Sequence, residues 1–171
     1  MTNEPQSQVT GHFETNGVDL HHYRHGKFAL LTSEVVFIDP EGRRNIAHPG
    51  LLTDGRSGKI GYYIIGSPFR TPYLEAYVVH DWWCAKAKTL EGAARTQLRL
   101  RADLQLRDET LVALGACRAN RVVTYAAVRA HAWRHRNDPV ADWSVDFISE
   151  AASHGCKLSP PELRGAMEYK L

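Results

Sequence analysis

What this chain of 171 residues has little of narrows the field first. It carries three cysteines, Cys84, Cys117 and Cys156, an odd number set far apart and without a CxxC pair. That spacing argues against a disulfide framework and a cysteine zinc site, and for a reducing compartment. No uncharged apolar run approaches the ~18 residues of a membrane span, so no transmembrane segment is expected. The N-terminus, MTNEPQSQVTGHFETNG, lacks the basic and then apolar stretches of a secretory signal, so none is expected. The motifs GxxxxGKS/T, GxGxxG and GxSxG are all missing. Phosphate-loop, dinucleotide and nucleophile-elbow chemistry therefore have nothing to stand on. Repeats and low-complexity segments are absent as well.

What is present is an ordinary globular composition, 43% hydrophobic and 23% charged, of a length that suits one domain. The net charge of +2 hides a pattern. Residues 1–70 balance, with seven basic and seven acidic side chains. Residues 71–137 hold eleven basic and six acidic side chains, and residues 138–171 hold three and six. Such asymmetry reads as charge pairing between solvated faces or as a phosphate-facing surface.

The pattern along the chain predicts an α+β fold. Residues 1–17 are polar and aperiodic, the signature of an arm. Residues 18–171 make one domain, β-rich over 27–66 and helical over 68–171. Short apolar runs predict strands at 28–31, 35–38 and 60–65. Asp39-Pro40-Glu41-Gly42, His48-Pro49-Gly50 and Asp54-Gly55 are turn sequences. Thr71-Pro72 opens a helix running to about Lys88. Further helices are predicted over 94–113, 120–135 and 138–155, with a capping box at Ser159-Pro160-Pro161-Glu162 before a last short one. Leu98 to Leu106 alternates in the period of a strand. It lacks β-branched and aromatic residues, and its Leu, Ala, Arg and Gln favour helix, which is the assignment made here. The centre of the helical body is then an antiparallel helix pair.

Chemistry concentrates in Tyr73 to Ala85, YLEAYVVHDWWCA, a segment apolar almost all round. Such a helix is buried, so His80 and Asp81 need partners, solvent in a cleft, or a ligand. Tyr73, Tyr77, His80 and Cys84 share one stripe, and Asp81 points about a hundred degrees away. Counting outward from a loop centred between Glu91 and Gly92 brings His80 level with Asp103 on the facing helix, and Cys84 level with Arg99. A carboxylate beside an imidazole fixes its tautomer and supports its charged form, as a general base requires. The same bond also serves simply to tie two helices together. Thr53-Asp54-Gly55-Arg56-Ser57-Gly58 is either a plain turn or a loop whose backbone approaches a ligand. His21, His22 and His25 lack a carboxylate partner at regular spacing, and arginines crowd His131 and His135. Neither group makes a metal site. Without aromatic interleaving on a strand platform, nucleic acid is not an expected partner.

Taken in order, Thr53-Asp54 with Ser57, His80-Asp81, and Arg99 with Asp103 resemble the family called domain of unknown function 1353, over roughly residues 28–135. The resemblance implies phage or prophage origin, with other phage structural proteins as partners and the bacterial host cytoplasm or the particle as location. It supplies no settled activity. The His-Asp helix pair is also similar to that of the phospholipases A2. That likeness implies that His80 activates water, Asp103 orients His80, and Asp81 binds calcium beside Asp54, Gly55 and Gly58, with a lipid ester as substrate. Cys84 stands where tyrosine is usual, and Arg56 brings positive charge into the loop. Two functions follow: a hydrolase built on a His80–Asp103 dyad, or a non-catalytic virion or assembly protein that binds neighbours through its arm.

Overall fold

The computed structural model describes residues 10–22, 29–55 and 69–137. Its β part consists of β1 (His12–Phe13), β2 (Leu20–His22), β3 (Ala29–Leu31), β4 (Val35–Ile38), β5 (Arg44–Ala47) and β6 (Leu52–Thr53). They form two antiparallel three-stranded sheets, ordered β1-β4-β5 and β2-β3-β6. The helical part holds α1 (Leu74–Lys88), α2 (Gly92–Gln105), a π-helical turn (Leu106–Thr110), α3 (Leu111–Ala113) and α4 (Arg118–Arg134). The fold is α+β. No helix among the described residues is long and apolar enough to cross a membrane.

The β4–β5 hairpin turns at the expected Asp39-Pro40-Glu41-Gly42. Asp39 Oδ1 accepts the amides of Glu41 at 3.1 Å and Arg43 at 2.8 Å. Gly42 supplies the positive φ of +80° that closes the turn. Asp39 is 3% exposed, and Arg43 reaches back to its second oxygen at 2.7 Å. Burial would raise the Asp39 pKa, and its bonds from Arg43 outweigh burial and hold it below the ordinary 3.8.

Of the stretch read as an arm, the part described from Thr10 is anchored. His12 pairs with Ile38 and Phe13 with Phe37, whose rings lie 5.0 Å apart. Gly11 permits the approach, because a Cβ there would fall 2.4 Å from the Phe37 ring and 2.6 Å from the Ile38 carbonyl oxygen. The strand expected at 60–65 and the helices expected beyond residue 137 lie outside the described residues.

Helix α1 is central. Its buried residues are Ala76 to His80, Trp82, Ala85 and Ala87, which occupy nearly every face. Val78, Val79, Trp82 and Ala85 pack with Leu31, Val35, Phe37, Ala47 and Leu51 of the β part. Ala76 and Tyr77 pack instead with Leu106, Leu111 and Ala116. Each large side chain sealed this way contributes about 1.5–3 kcal/mol, enough to fix the helix between the two layers. Residues 98–105 are helical, so propensity prevails over the alternating pattern. The helix beyond them runs on to Ala113 through the π turn, whose Leu106 and Thr110 are buried. Gln105 ties it to the sheet through the Asn45 side chain at 3.2 Å.

Candidate functional site

Only Thr89 to Glu91 separate α1 from α2, so the two pack as an antiparallel hairpin. His80 Nε2 and Asp103 Oδ1 meet across it at 2.8 Å. Both are buried, His80 at 8% and Asp103 at 1% exposure. The second oxygen of Asp103 accepts from Arg129 of α4 at 2.9 Å. One carboxylate thus joins three helices.

The other edge of the imidazole faces Asp81, with Nδ1 and Oδ1 3.6 Å apart, longer than a hydrogen bond. Asp81 Oδ2 accepts the Thr53 hydroxyl at 2.6 Å, and Thr53 Oγ1 in turn accepts the Gly55 amide at 3.0 Å. The end of β6 and the start of the glycine loop are therefore held against α1 at Asp81. Cys84, one turn along, sets its sulfur 3.5 Å from Nε2 and 3.9 Å from Nδ1. Burial would keep the His80 ring neutral. The Cys84 sulfur and the Asp103 and Asp81 carboxylates outweigh burial and lift its pKa well above the ordinary 6.5.

The structure brings His80, Asp103, Asp81 and Gly55 into one neighbourhood. Asp54 follows Thr53 directly and is half-buried; Gly58 lies outside the described residues. Elsewhere among the described residues, His22 packs edge-on against Phe69, His48 pairs with Glu34, and His131 packs on His135. Arg129 was not foreseen, because nothing in the sequence fixes how α4 crosses α2. The available signal was its place one turn before Ala132, which is buried.

Two donor sets are available to a metal. His80, Cys84 and Asp103 offer atoms within 4.8 Å of one another, an imidazole–thiol–carboxylate set of the kind zinc takes. Asp103 already spends both oxygens on His80 and Arg129, which satisfies that cluster without an ion. The Asp81 carboxylate and Thr53 hydroxyl are hard oxygens held together at 2.6 Å, with Asp54 next in sequence. Calcium takes oxygens of this type.

The family described as protein of unknown function (DUF1353) matches residues 29–128. The chain belongs to this family. The match spans β3 to α4 and so takes in Thr53, Asp81, His80, Cys84 and Asp103, stopping one residue short of Arg129. An uncharacterized protein of Sinorhizobium fredii, y4jT, is 37% identical over 67 residues. That stretch is 38% of this chain and 20% of the relative, so the chain accounts for only a small part of that protein's length. No solved structure matches the chain.

Proposed function

We propose that the protein is a hydrolase acting on an ester, with His80 and Asp103 as its working pair. The observation that carries the reading is the imidazole lodged between two carboxylates, one of them locked to the glycine loop. Asp103 holds Nε2–H and so fixes the ring, while Nδ1 is the nitrogen without a close oxygen acceptor. Once the ring is neutral, Nδ1 accepts the proton of an attacking water and returns it to the leaving oxygen. Asp81, with Asp54, Gly55 and Gly58 of the loop, would hold calcium, which supplies a Lewis acid for the ester carbonyl when bound. A lipid ester is the substrate class proposed.

The test is hydrolysis of phospholipid vesicles by the full chain, with calcium and with a chelator. His80→Gln is expected to abolish turnover while leaving calcium binding intact, and Asp81→Asn to weaken the calcium response. A wild type that neither hydrolyses nor gains thermal stability from calcium would remove this reading.

The second reading is a non-catalytic assembly protein of a phage or prophage particle. Its support is the exposed apolar side chains of α4: Val122, Val123 and Trp133 are 52%, 62% and 67% exposed. Deleting residues 1–9, the part of the arm ahead of β1, would impair assembly with particle proteins if that reading holds.

A further inference from the structure

Asp103 has a neighbour on its own helix that the dyad does not use. Arg99 lies one turn earlier on α2, on the same face, and is 9% exposed. Its Nε is buried without a hydrogen-bond partner, and no carboxylate among the described residues pairs with its guanidinium. An arginine cannot shed its proton to relieve such burial. A largely desolvated guanidinium without a carboxylate partner favours an anion at its open nitrogens.

The surroundings indicate which anion. Stepping back four residues from the His80–Asp103 contact sets Arg99 level with Cys84, which is half-buried. Two contacts, Asp103 with Arg129 and Arg107 with Tyr125, show α2 and α4 running antiparallel. The same step then sets Arg99 level with Trp133, in the last turn of α4. Arg134 and Arg136 lie at this end of α4, and residues 118–136 contain no acidic side chain. Arg95, buried at 7% exposure, continues the stripe beyond Arg99. Basic side chains of α2 and α4 thus meet at this end of the helices, which suits a group of more than one negative charge. The planar fork of a guanidinium matches a pair of phosphate oxygens.

We propose that Arg99 binds the phosphate group of the ligand, one helical turn from Asp103, and that the substrate is accordingly a phosphate-bearing ester. As a statement about the substrate this rests on the hydrolase reading; as a statement about binding it is tested apart from it.

The experiment follows thermal unfolding of the full chain in phosphate-free buffer, then with inorganic phosphate, then with acetate, all at constant ionic strength. Phosphate is expected to raise the wild-type Tm, since a ligand bound only by the folded state stabilises it, and acetate to do so far less. Arg99→Lys keeps the charge and loses the fork, and is expected to bind phosphate about tenfold more weakly. Arg99→Met is expected to melt no lower than wild type without phosphate and to lose the phosphate response, because an apolar side chain there removes an unpaired charge. A wild type indifferent to phosphate, an Arg99→Lys variant that binds as tightly as wild type, or an Arg99→Met variant that melts well below wild type without phosphate would overturn the proposal. Phosphatidylcholine vesicles distinguish the source. If they displace bound phosphate, the group is a lipid headgroup; if they do not, it is a soluble phosphate ester. Phosphate binding without ester hydrolysis leaves this site standing and removes the hydrolase; hydrolysis without phosphate binding does the reverse.

Discussion

Asp39 and Asp103 are both buried carboxylates, at 3% and 1% exposure, and each meets an arginine and further donors. Their partners come from different distances. Asp39 is satisfied within four residues by the amides of Glu41 and Arg43 and the Arg43 guanidinium. It shapes one hairpin, and any chain with that turn could supply the same bonds. Asp103 is satisfied from 23 and 26 residues away, by a titratable ring and a cation on two other helices. Those bonds form only once the helical body has assembled. Local satisfaction marks a turn; remote satisfaction by an ionisable ring, beside a loop anchored to Asp81, marks a candidate site.

The contrast can be broken most severely at Asp103. Asp103→Ala leaves the His80 ring and the Arg129 guanidinium facing a gap, and is expected to cost about 3–5 kcal/mol in chemical denaturation. Asp103→Asn, which keeps the shape, should cost less, and equal losses would show that volume matters there and charge does not. Asp39→Ala removes two amide bonds and is expected to cost about 1–2 kcal/mol.

A pH series sharpens the same comparison. The folded-state pKa of Asp39 lies below its unfolded value, so its contribution is present above the unfolded pKa and is lost as pH falls through the folded one. Asp39→Asn should therefore flatten the acid limb of the stability curve and leave neutral pH less stable than wild type. An unchanged acid limb would mean that the turn carries no charge linkage. The smallest effects belong to the cations. Arg129→Met is expected to cost about 1 kcal/mol because Asp103 keeps only His80. Arg43→Met, at a side chain 59% exposed, should cost about 0.5 kcal/mol or less.

The difference between the two carboxylates also explains what the sequence disclosed. The Asp39 turn was legible because its chemistry lies within one five-residue window. The His80–Asp103 contact was legible for a less direct reason: the connection between α1 and α2 is short enough for counting from its centre to set the register. Arg129 was not, since the chain from Leu106 to Cys117 passes through a π turn and a break at Gly115, and no count survives both. The π turn has no glycine or proline to announce it. Strand β5 is Arg-Asn-Ile-Ala, too polar and too short to stand out, and it exists because the turn before it returns the chain to β4. Strand β1 is two residues long and depends on the bare backbone of Gly11, a requirement set by Phe37 and visible only in three dimensions.

The shared carboxylate of Asp103 has a consequence for motion. Helix α4 buries few side chains, only Thr124 and Ala132 among its seventeen residues, and by packing alone it would open readily and by itself. The bond from Arg129 couples that opening to the α1–α2 hairpin. Each time α4 lifts away, Asp103 loses one of its two partners and the imidazole of His80 is left as the other. Amides along α4 and those flanking His80 should then exchange with solvent in correlated bursts, so that fluctuation at the periphery is transmitted as a change in the proton affinity at the centre.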